Sequence, residues 1–124
     1  MPFARISLHR GKPGEYLQAL SQSLHAALVE SFEVPPTDRF QVIHQHEAGE
    51  LIFDRHYLGG PRSDDFLLIE ITAGRVRDTA TKQRFYRSLV QRLQREPGID
   101  PEDVMVVITT TDAQAWSFGG GRGN

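Results

Sequence analysis

The chain contains no cysteine among its 124 residues. Disulfides, thiolate nucleophiles and cysteine–zinc sites are therefore excluded. Lysine is nearly missing as well: Lys12 and Lys82 are the only two, and arginine supplies the other basic residues. Genomic base composition accounts for that bias in bulk, although guanidinium groups also suit carboxylates, whose two oxygens match their planar fork. No apolar run approaches the length of a membrane-spanning helix, and Arg5 breaks the short apolar start that a signal peptide would need. A cytoplasmic location is the expectation. Charge of one sign is lacking too. The formal net charge of −2 gives no reason to expect a nucleic-acid or membrane-surface partner.

What remains is the composition of an ordinary globular protein, 39% hydrophobic and 24% charged, long enough for one modest core and not for two. A single domain over 1–124 is expected. From Phe3 to Leu8 apolar residues alternate as in a half-buried strand. The period then changes, with Leu17, Leu20, Leu24, Ala27 and Leu28 on one helical face, Pro13 and Glu15 at its start, and Val34-Pro35-Pro36 beyond its end. "DRFQVIHQH" reads as a second strand. Glu47 to Asp65 reads as a hairpin or loop, with Leu51, Ile52 and Phe53 as a short strand.

The pattern restarts at "FLLIEITA", a strand, followed by a helix with Phe85, Leu89, Val90 and Leu93 on one side, and by the strand "VMVVITT". "PTDRFQVI" from Pro36 and "PEDVMVVI" from Pro101 open the later strands alike, 65 positions apart. The chain thus reads as a β-α-β unit used twice, over approximately 2–60 and 66–124. Matching strands would form one four-stranded mixed sheet with both helices on one face, an α/β (α+β) architecture. The other face would carry apolar residues that an oligomer could cover.

Pro2 admits two readings. It is a residue that a strand tolerates at its first position, or, once Met1 is removed, the residue type that presents a secondary amine at a chain terminus. An α-amine titrates near ~8. Burial and nearby cations lower that value, and carboxylates raise it, so the group can be tuned as base or acid. Asp38 is a normal turn residue after Pro-Pro-Thr, and Asp103 holds its place in the second half. Arg75 and Arg77 alternate at the end of the third strand, so both could face one anion, or be solvated charges. His44 and His46 share a strand face, but no third metal ligand accompanies them.

Four stretches in order, "MP", "VPPTDRFQ", "AGRVRDTATKQRFY" and "DAQAWSFGGG", resemble the tautomerase superfamily, and within it the malonate semialdehyde decarboxylase branch. The resemblance implies a tautomerase/macrophage migration inhibitory factor-like fold. It also implies a homotrimer acting on a small carboxylate without cofactor or metal, its active site around Pro2 near a subunit boundary. By the same resemblance Asp38 is an active-site carboxylate, Arg75 and Arg77 bind the substrate, and Trp116 and Phe118 line the pocket. The branch carries proline between its two arginines, where this chain has Val76. The implied chemistry is decarboxylation of a short 3-oxo acid. Keto–enol tautomerisation, hydration of an unsaturated acid, or a non-catalytic trimer are the alternatives.

Overall fold

The computed structural model describes residues 2–123. Strand β1 (Pro2–His9) leads into helix α1 (Gly14–Ser31), then strand β2 (Gln41–His46). A long connection follows, then β3 (Leu67–Ala73), helix α2 (Thr79–Arg95) and β4 (Val104–Thr110). Single 3₁₀ turns at Pro101–Asp103 and Ala113–Ala115 flank the last strand. The sheet order is β2-β1-β3-β4. Within each half the strands are parallel, β1 with β2 and β3 with β4, while β1 and β3 join the halves antiparallel, Pro2 opposite Ala73 and Ser7 opposite Leu68. The tandem β-α-β reading is therefore the architecture found.

Local chemistry sets the helix ends. Tyr16 and Leu17 donate their backbone N–H groups to Pro13 O at the start of α1. The helix stops where Glu33 takes a left-handed φ of 59°, a conformation it adopts without glycine's freedom. Asp78 caps α2 by accepting from Thr81 N at 2.8 Å, and Arg92 and Arg95 complement the dipole of its last turn. Ala4, Ile6 and Leu8 from β1 and Ile69, Ile71 and Ala73 from β3 meet Leu20, Leu24, Leu28, Phe85, Leu89 and Leu93 from the helices in one buried core. Phe32 and Phe85, both fully buried, pack at 5.1 Å between ring centroids and tie the two helices together.

Two boundaries differ from the sequence reading. Leu51–Phe53 is loop rather than strand. Phe53 stacks on Phe66 at 4.2 Å, and the Asp54 carboxylate accepts from the backbone of His56 and Tyr57, which turns the chain before it can extend. The third strand ends at Ala73, so Arg75 and Arg77 lie in the bend beyond it. The helix-free face of the sheet leaves Val42, Met105 and Val107 exposed, as the pattern required.

Tyr16 offers a test of this packing. Burial first, then the charges of Asp65 and Asp103, push its phenol from 10.0 up to about 12. Its neutral form is favoured in the fold, so the stabilisation is full below pH 10 and lost as pH rises through about 12. Urea midpoints should fall across that window in the wild type, and less steeply in Tyr16→Phe. Equal slopes would show that Tyr16 has no part in the alkaline loss.

Candidate active site

Four segments converge at one end of the sheet. Pro2 heads β1, buried, opposite Ala73 at the end of β3. On the other flank Ala4 N donates to Phe40 O at 3.0 Å, and Ala4 pairs with Gln41, so the Pro35–Asp38 turn enters beside the head of β1. Thr111 N donates to Ala73 O at 2.8 Å, which brings the C-terminal segment to the same end. The antiparallel seam thus gathers Pro2, Asp38, the Arg75–Arg77 bend and Trp116 from four distant stretches of chain. Met1 lies outside the described residues, and with it the expectation of its removal.

Asp38 and its repeat counterpart Asp103 have different fates. Asp103 is 3% exposed and accepts from both Ser63 N and Ser63 Oγ at 2.6 Å, so it pins the long connection to β4. Asp38 is half-buried; its backbone N–H donates to Pro35 O, and no side chain among the described residues pairs with its carboxylate. A partly buried carboxylate left without a partner is open to a ligand or a water.

The two arginines also divide. Arg77 is 5% exposed. Its Nε donates to Phe32 O at 3.1 Å, an Nη donates to Arg75 O at 3.2 Å, and the guanidinium lies 4.4 Å from the Phe32 ring centroid. It therefore caps the C-terminal end of α1 from across the core. Burial, and then the Arg75 charge, push its pKa down, while Glu33 pulls it up. Arg75 is exposed and held only loosely, reaching Glu33 Oε1 and Glu33 O at 3.4 Å. Strand alternation does not place the pair on one face, because the backbone has left β3 before Arg75. Glu33 was not legible in the sequence as a neighbour of either arginine, since nothing marks a glutamate for a left-handed position.

Trp116 and Phe118 stack at 5.6 Å, and Trp116 Nε1 donates to Thr111 Oγ1 at 2.6 Å. With Phe3, Phe40 and Val42 they wall an open cavity of about 350 Å³ on the helix-free side. Phe3 follows Pro2, and Phe40 lies two residues beyond Asp38, in the chain. The sequence reading had missed Phe3 and Phe40; alternation along β1 was the available signal for Phe3. His44 accepts from Arg5 at 3.0 Å and stacks near His46, and no cluster of metal-ligating side chains occurs among the described residues.

Two family models, each described as a tautomerase enzyme, match residues 2–60 and 38–119. The probable tautomerase YusQ of Bacillus subtilis (strain 168) is 38% identical over 98% of this chain and 96% of its own. A crystal structure of malonate semialdehyde decarboxylase, solved as a basis for its decarboxylase and hydratase activities, is 34% identical. It covers 97% of this chain and 92% of that one, with a TM-score of 0.91. A fused 4-OT symmetric trimer, 19% identical, shares the fold over 98% of this chain and 94% of that one, with a TM-score of 0.76.

Unfolding should separate the arginines. Arg77→Ala leaves Phe32 O unsatisfied in the core and should cost about 1–3 kcal/mol. Arg75→Ala removes one exposed pair and should stay within about 0.5 kcal/mol of wild type in urea titrations. Equal losses would contradict the division.

Proposed function

The chain belongs to the tautomerase family, and on that premise we propose that it decarboxylates a short 3-oxo acid such as malonate semialdehyde, releasing carbon dioxide and acetaldehyde. What supports the reading is a half-buried Asp38 carboxylate, without a side-chain partner among the described residues, at the end of the sheet where β1 begins with buried Pro2 and β3 gives way to the loosely held Arg75, in a chain 34% identical over almost its whole length to a malonate semialdehyde decarboxylase.

Decarboxylation breaks the bond between the carboxyl carbon and its neighbour, and the electron pair flows toward the aldehyde oxygen. A protonated Pro2 amine beside that oxygen stabilises the enolate. Alternatively the amine condenses with the aldehyde, losing water, and the resulting iminium takes up the electron pair until hydrolysis frees the product. Asp38 favours the charged amine by opposing its loss of a proton. Arg75 binds the departing carboxylate through its fork. Arg77 adds positive charge and braces the bend that carries Arg75. Trp116 and Phe118 shield the reacting carbon from water, which favours protonation at carbon over side reactions. No cofactor is required, since the electron sink is the substrate's own carbonyl.

The assembly proposed is a homotrimer, whose subunits would cover the exposed Val42, Met105 and Val107 on the helix-free face. A second reading has specific support: the Bacillus subtilis relative is described as a probable tautomerase. In that case a neutral Pro2 shuttles a proton in keto–enol tautomerisation of a 2-oxo acid, or Asp38 activates water to hydrate an unsaturated acid.

Carbon dioxide release from malonate semialdehyde, by protein beginning at Pro2, tests the assignment. Turnover is expected, with Pro2→Ala lowering kcat by about 100-fold or more and Arg75→Ala acting mainly on KM. Enol ketonisation without carbon dioxide would transfer the assignment to the tautomerase reading. Activity untouched by Pro2→Ala would remove the amine from the mechanism altogether.

A further inference from the structure

Pro36 and Pro101 are 65 positions apart, and the same offset carries Arg10 onto Arg75 and Lys12 onto Arg77. The loop between β1 and α1 is thus the first repeat's counterpart of the bend after β3. Because β1 and β3 run antiparallel, the two loops lie at opposite ends of one sheet. The Arg10–Lys12 loop borders a cavity of about 640 Å³, larger than the aromatic one, whose walls also carry His9, His46 and Arg55.

The chemistry at the two ends is unequal. The position that corresponds to Pro2 is Leu67, an internal residue with no amine. The counterpart of Asp38 is Asp103, already engaged by Ser63. The far end therefore keeps the cationic pair and lacks both the amine and the open carboxylate. We infer that it is a second binding site, non-catalytic, for small carboxylates, formed by Arg10 and Lys12 over this cavity.

Its cations are paired, but loosely enough for exchange. Arg10 Nε meets Glu47 at 2.7 Å with the two side chains 55% and 68% exposed, and Arg55 meets Asp64 at 2.6 Å in a comparably exposed pair. Lys12 pairs with Asp65. Surface pairs of this kind contribute little, so an incoming carboxylate can replace a protein one at small cost. Arg10 spends Nη2 on a long contact of 3.4 Å to Gln45 O, and its Nη1 has no partner among the described residues. Arg75 is placed in the same manner, exposed and loosely paired with Glu33. His9 Nδ1 donates to Asp64 O at 3.1 Å, which orients its ring at the cavity wall as a reporter.

The inference rests on the reading of Arg75 as a carboxylate binder, through the repeat, and its test is separable from that reading. Malonate is titrated into the full chain while the ring signals of His9 and His46 are followed by NMR. Saturable shifts are expected in the wild type and in Arg75→Gln, whether or not carbon dioxide is released from malonate semialdehyde. Arg10→Gln/Lys12→Gln should weaken the apparent affinity at these signals at least about tenfold, the loss of a charge-assisted contact, and leave turnover at the Pro2 end unchanged. Arg10→Gln alone, at an exposed position, should weaken it in part and guards against a folding defect in the double variant. Signals that do not saturate would overturn the inference. So would equal shifts in the double variant, or equal shifts with sodium chloride at matched ionic strength.

Discussion

The pairing of β1 with β3 is the constraint from which the rest follows. Among the described residues it is the only strand pairing between the two repeats, and its antiparallel register sets Pro2 against Ala73 at one end and Ser7 against Leu68 toward the other. A shift of one residue would turn Ala4, Ile6 and Leu8 out of the core and Phe3 and Arg5 into it. It would also separate Pro2 from the bend that bears Arg75. Core packing and site assembly therefore depend on one register, and the fully buried residues of β1 and β3 protect the site geometry by protecting that alignment.

Two copies of one unit need not keep two copies of one chemistry. Asp38 and Asp103 enter their strands from matching turns, yet among the described residues the first has no side-chain partner while the second is consumed by Ser63. Arg77 fills the core side of its bend and reaches the carbonyl at the end of α1; Lys12, its counterpart, stays at the surface with Asp65 and lies 5.0 Å from the Tyr16 ring centroid. The difference traces to the long connection between β2 and β3. It folds over the far end and supplies Ser63 and Asp65, the partners of Asp103 and Lys12.

The repeat, the strands and both helices were legible in the sequence because their apolar periods were clean. Leu20, Leu24 and Leu28 recur at the spacing of one helical face, and Ile69 and Ile71 at that of one strand face. Leu51–Phe53 misled because three apolar residues in a row look like a strand, while the stacking of Phe53 on Phe66 and the turn at Asp54 depend on partners distant in sequence. The inward turn of Arg77 was hidden for a related reason. Its destination, a helix-end carbonyl 45 positions earlier in the chain, leaves no periodic trace. Local pattern shows which residues belong together in an element, and long-range contacts decide which of the charged ones remain available.

Trp116 is the chain's only tryptophan. It stands half-buried in the wall of the aromatic cavity, bonded to Thr111 and stacked on Phe118. The indole emission of the whole protein therefore originates at this one wall. Its colour and intensity follow the polarity and hydrogen bonding of that cavity, undiluted by any other indole. The protein carries its own optical gauge of what enters that cavity.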